Sequence, residues 1–186
     1  VSDALDALAD DPAAKVVVLT GAGDTFSAGF DLREFDQPEL AEVLWASSDR
    51  FHTRVLTFPL PMVAAVNGPA LAGGFDLAVM CDLRIAASTA RFAHPEASFA
   101  PVVYGPLHDA VGGAVARDLA FTGRAIDAEE ALRLRLVSAV VAPEQCVTAA
   151  IEQAEAIARA PRDILLTTKA KAIARAGYAL GPTLRL

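Results

Sequence analysis

Cysteine is scarce: only Cys81 and Cys146 occur among 186 residues, with no Cys-x-x-Cys pair and no metal-ligand spacing. That excludes a disulfide scaffold, and two isolated thiols read as reduced, buried side chains of a cytoplasmic protein. Basic residues are also short, 16 Lys and Arg against 23 Asp and Glu, for a net charge of −7. Nucleic-acid binders need clustered cations to neutralise phosphates, so that class is excluded as a partner. No long uninterrupted apolar run exists; the most apolar stretch, residues 59–80, is broken by Asn67, several glycines and Asp76. No transmembrane helix or membrane partner is therefore expected. The three histidines, His52, His94 and His108, are too scattered to suggest a metal site. No secretory leader is visible. The chain starts at Val1 rather than Met and reads as part of a longer one.

What is present is apolar residue, 54% of the chain, enough for one domain with a sizeable core or for some apolar surface between subunits. Residues 2–9 have the pattern of an amphipathic helix, stopped by Asp-Asp-Pro. Lys15 to Thr20, Pro61 to Val66, Leu83 to Ala87 and Leu136 to Val141 read as buried strands. Helices are expected over 38–57, 73–80, 109–122, 127–133 and, as a pair, 143–176. In 38–57 the apolar face comprises Leu40, Val43, Leu44, Phe51, Val55 and Leu56. Strands alternating with helices indicate an α/β fold with parallel pairing.

Two segments carry chemistry. Thr25-Phe26-Ser27-Ala28-Gly29-Phe30-Asp31-Leu32 follows the first strand. A dinucleotide fingerprint starting at Gly21-Ala22-Gly23 would need glycine where Phe26 stands, and is rejected. Ala65-Val66-Asn67-Gly68-Pro69-Ala70-Leu71-Ala72-Gly73-Gly74-Phe75-Asp76 leads a buried strand through a turn into a Gly-Gly helix start. First-turn N–H groups lack intrahelical acceptors and carry the positive end of the helix dipole. Glycine lets a ligand oxygen approach them, which suits an oxyanion hole. A tight packing pair of glycines is the plainer reading of the segment alone.

Together, FSAGFDL, then AVNGPALAGGFDLAVMCDLRIA, FAHPE and LAFTGRAIDAEEALRLRLVSAVV resemble, in order, the crotonase (enoyl-CoA hydratase/isomerase) superfamily. The resemblance runs from Lys15 to Val141. It implies a core of ββα units in a spiral over about 15–141, with C-terminal helices over about 142–186, as one domain of residues 1–186. It also implies a homotrimer or dimer of trimers, and family segments that precede Val1 and follow Leu186.

The resemblance further implies that the substrate is an acyl-coenzyme A thioester and that no metal or redox cofactor is required, coenzyme A being part of the substrate. The oxyanion hole would be the backbone N–H groups of Phe30 and Gly73. Ala28, Phe30, Asp31, Leu32, Arg33 and Gly73 would border the thioester. Phe30 would line the acyl pocket and Arg33 would approach the phosphates. Family hydratases place two glutamates where this chain has Asp76 and, twenty positions on, Glu96.

The departures matter. Aspartate retracts the first carboxylate by roughly 1.5 Å. A dienoyl-CoA isomerase branch carries aspartate at this position too, but needs another at position 104, which is Tyr104. The family's PGxGG segment is replaced here by ASFAPVVYGPLHDAVGGAV, which alters the expected acyl wall. The implied activity is hydration of a 2-enoyl-CoA. The alternatives are a Δ3,Δ2-enoyl-CoA isomerase using Glu96 alone, or a non-catalytic acyl-CoA-binding homologue. Ser27 reads as a loop residue, His94 as structural, and Lys169 and Lys171 as a solvated helix face.

Overall fold

The computed structural model describes residues 1–178 and 180–182, apart from the side chain of Phe35. Helix α1 (Ser2–Asp10) leads to strand β1 (Val17–Thr20). Short α2 (Leu32–Phe35) and long α3 (Ala41–Leu56) precede β2 (Met62–Val66), β3 (Ala70–Leu71) and α4 (Gly73–Met80). Then come β4 (Leu83–Ala87), β5 (Arg91–Ala93), α5 (Gly105–Val111), α6 (Gly113–Thr122) and β6 (Ile126–Asp127). Helix α7 (Ala128–Arg133), β7 (Ala139–Val141), α8 (Cys146–Ala158) and α9 (Arg162–Ala176) complete the order.

Strands β1, β2, β4 and β7 form one parallel sheet in that spatial order. Every residue of β2 is buried, which is why it reads as an unbroken apolar run. Its side chains still alternate. Met62, Ala64 and Val66 join the large core with Phe75 and Leu107, while Val63 and Ala65 join a smaller core with Cys146, Ala150 and Ala154 of α8. The sheet is thus covered on both faces, and α4 lies on the side of the large core.

A second sheet, β3-β5-β6, is built from strands of two or three residues. Such strands are too short to leave a periodic signal, so this layer was not expected. The expected helix over 109–122 is instead two helices, broken at Gly112, whose φ of 77° no helix accommodates. Val43, expected on the apolar face of α3, is 64% exposed, because that helix turns Ser48, His52, Val55 and Leu56 inward. The strand expected over 136–141 is confined to Ala139–Val141.

Two buried cations lock the end of α4. The Arg84 guanidinium donates to the carbonyls of Cys81 and Leu136, both at 2.6 Å, and of Ala78 at 3.2 Å. Lys169 of α9 is buried, not solvated as expected. Its Nζ lies 2.6 and 2.7 Å from the two carboxylate oxygens of Asp82, and Asp82 Oδ2 also accepts the Met62 N–H. Removing one partner of such a pair leaves a half-buried charge uncompensated. Lys169→Met should therefore lower stability by about 3 kcal/mol, read as a reduced urea midpoint with an unchanged m-value.

Candidate active site

The two motifs meet through their backbones. The Phe26 and Ser27 N–H groups donate to the Pro69 carbonyl, and Leu71 N–H donates to the Ser27 carbonyl. Cβ atoms would not fit where the loops cross. One on Gly29 would stand 3.0 Å from the Gly73 nitrogen, and one on Gly74 would fall on the Ser27 carbonyl. Ser27 Oγ accepts the Gly29 N–H at 3.3 Å, a loop role and not that of a nucleophile. The Gly73 nitrogen, first in α4, has no hydrogen-bond acceptor among the described residues. It is a donor at a helix N-terminus, beside a glycine that leaves room for an oxygen.

The residue before it is held in an unusual conformation. Ala72 has φ 50° and ψ −128°, a region that glycine tolerates and alanine does not. Its bonds keep it there: its N–H donates to Ala93 O at 3.0 Å, and its carbonyl accepts Phe75 N–H at 2.8 Å and Asp76 N–H at 3.1 Å.

Sheet register then assembles the acids. Strand β3 pairs with β5, Leu71 opposite Ala93, so the two strands end side by side. Beyond their ends stand Gly73 on one and His94 on the other. Pro95 opens a single 3-10 turn over Pro95–Ser98, which sets Glu96 one step further on. The first turn of α4 brings Asp76 round to the same place. Asp76, His94 and Glu96 each offer a ligand-type atom, all within 4.8 Å of one another. His94 Nε2 is 2.9 Å from Asp76 Oδ1, and the imidazole stacks on Phe75 with centroids 4.6 Å apart. Both side chains are buried, as is Glu96 Oε2, which has no partner among the described residues.

Burial pushes the Glu96 carboxyl above its ordinary 4.5; its own backbone N–H opposes this, and the Asp76 charge adds to it. A histidine and two carboxylates form a donor set that a divalent cation could use, although the histidines alone did not suggest it. The Nε2 that would serve as ligand already bonds Asp76, and Nδ1 has no partner to fix a ligating tautomer.

The remaining expected residues lie along the rim. Ala28, Asp31, Leu32 and Arg33 are exposed. Arg33 is closed onto Asp31 in a forked pair, Nη2 to Oδ2 at 2.7 Å and Nε to Oδ1 at 3.1 Å, which holds the Asp31 carboxyl down at about 2. Phe30 is half-buried and meets Trp45 edge to face, centroids 5.6 Å apart. Trp45 carried no motif, and its edge-to-face contact with Phe30 brings it to the rim. Tyr104 stands at the start of α5, its ring 5.8 Å from that of His108.

A four-stranded parallel sheet, a second short-stranded sheet of mixed pairing and a glycine helix start beside an acid cluster match a crotonase-type arrangement. The enoyl-CoA hydratase/isomerase family model matches residues 1–182, and the chain belongs to that family. It is 41% identical over 191 aligned positions to a Thermus thermophilus protein assigned to the enoyl-CoA hydratases, covering 98% of this chain and 76% of the relative. It is 39% identical to a crotonyl-CoA hydratase of Syntrophomonas wolfei, over 78% of this chain and 58% of that one. A crystal structure of an enoyl-CoA hydratase from Bacillus anthracis superposes with a TM-score of 0.84 at 34% identity, covering 90% of this chain and 68% of that one. The chain thus spans between 58% and 76% of the length of the curated relatives it matches.

Two outcomes test the site's physics without any substrate. Relief of strain at Ala72, typically about 1–3 kcal/mol, exceeds glycine's added backbone entropy of about 0.5–1 kcal/mol. Ala72→Gly should therefore stabilise the fold by about 1 kcal/mol in chemical denaturation. Glu96 behaves differently. The folded chain holds its proton more tightly than the unfolded chain does. Its contribution is complete below the ordinary 4.5 and declines as pH rises through the raised value. Glu96→Gln should thus melt higher than the parent at neutral pH, with the gap closing toward acid, read as thermal midpoints across that range.

Proposed function

We propose that this chain is the core of an enzyme that hydrates 2-enoyl-CoA thioesters. The observation that carries the reading is one cluster: an acceptor-free Gly73 N–H and, from the same helix turn, a buried carboxylate beside a second one with a free oxygen. The thioester carbonyl would accept from Gly73 and Phe30 N–H, so that negative charge developing on its oxygen is stabilised. Water would add at Cβ, giving a proton to Asp76, as the enolate takes a proton at Cα from Glu96. The raised proton affinity of Glu96 suits it to the donor role, leaving Asp76 as base. Exchange with solvent then restores both groups.

Phe30, with Trp45 behind it, would wall the acyl chain. Ala28, Asp31, Leu32 and Arg33 would border the coenzyme A strand, Arg33 keeping donors beyond those spent on Asp31. The relatives' names support a substrate of the enoyl-CoA class. The exposed Phe99 and Phe121 fit a homotrimer or dimer of trimers. Among the described residues no helix is long and apolar enough to cross a membrane.

A second reading has one observation in its favour: Asp76 is bonded to His94, leaving Glu96 as the uncommitted acid. A Δ3,Δ2-enoyl-CoA isomerase needs only one proton shuttle. Separate assays with 2-enoyl-CoA and 3-enoyl-CoA on the full chain decide between the two. Hydration of the former is expected, and no hydration at any acyl length would overturn the hydratase reading. Glu96→Gln should keep thioester binding and lower kcat by roughly a thousandfold.

A further inference from the structure

We infer that His94 is a positioning residue which, through its Nε2–H bond to Asp76, makes a one-methylene-shorter acid usable in the reaction proposed above. Four observations carry this. Asp76 is the shorter acid, on a helix whose start is pinned by Ala72, so the backbone is not free to carry its carboxylate forward. The imidazole fills the space beside it: it is fully buried, flat on Phe75 and 2.9 Å from Asp76 Oδ1.

The bond also has a direction. Nδ1 is buried with no partner, so a proton there would be an unpaired buried donor; the proton therefore sits on Nε2 and is donated to the carboxylate. Finally, the backbone that carries the ring is held. The His94 carbonyl accepts the Ala97 N–H at 3.1 Å, and a Cβ on Gly123 would stand 2.8 Å from it, so α6 closes over this residue. A short carboxylate without such a clamp would rotate about its side-chain torsions. With it, one oxygen is engaged by His94 and that rotation is restricted. His94 acts through Asp76, to which its Nε2 is bonded.

Glutamine and methionine are close in size and flexibility, and only glutamine supplies an N–H. His94→Met should therefore lower kcat about a hundredfold with KM within about threefold, the scale expected for a reacting group displaced by about 1 Å. His94→Gln should stay within about fivefold of the parent. In an Asp76→Ala background, adding His94→Met should cost less than about threefold more, since a residue that acts through Asp76 has nothing left to act on.

Equal losses for Met and Gln, or losses that multiply in the double variant, would overturn the inference. A readout independent of turnover separates it from the hydratase reading. In ¹⁵N-histidine spectra of the full chain, His94 is expected as the Nε2–H tautomer and to shift on Asp76→Ala, while His108 stays put. A silent His94 signal overturns the positioning role whatever the activity. A responsive signal in a protein that hydrates no 2-enoyl-CoA upholds the bond and overturns the hydratase reading alone.

Discussion

The hydrogen bond from Ala72 N–H to Ala93 O is the junction on which the site depends. On one side of it the chain leaves the second sheet to start α4, exposing the Gly73 N–H. On the other it leaves β5 for His94 and Glu96. Donor and acids therefore share one geometric reference, and no flexible loop intervenes between them. The strained backbone at Ala72 is the local expense of turning a strand into a helix within one residue. A packed core around Phe75 and Phe92, 5.5 Å apart, keeps that turn from relaxing.

Much of this was legible in the residues alone, for reasons that can be named. Strand β2 is buried on both faces and announces itself as an apolar run, and the ends of β4 fall where expected. The α4 boundaries coincide with expectation, because two glycines cannot be placed comfortably inside a helix but suit its start. The second sheet was not legible, since Ala70–Leu71 and Ile126–Asp127 are too short for any period to register. The family resemblance could associate Asp76 with Glu96, but it could not reveal that His94 bonds Asp76. That depends on the β3–β5 register, a long-range pairing that local pattern does not encode. Lys169 was misjudged for a related reason: on a helix rich in polar residues nothing local distinguishes the one lysine that meets a buried aspartate.

The three titratable side chains of the cluster have different duties because their surroundings differ. His94 is sealed and engaged. Asp76 is sealed on one oxygen. Glu96 is only half-buried and keeps one oxygen without a partner. Burial, more than the neighbouring Asp76 charge, raises the proton affinity of Glu96. The asymmetry thus follows from placement, with no need for unusual side chains.

Arg84 gives this arrangement a polarity along α4. Its guanidinium sits among the carbonyls that end the helix, at Ala78 and Cys81, and so neutralises the negative pole. At the opposite pole the Gly73 N–H has no acceptor among the described residues. The helix acts less as a balanced dipole than as a one-ended electrode, its cathode shorted by an internal ion and its anode left open to whatever anion the pocket creates.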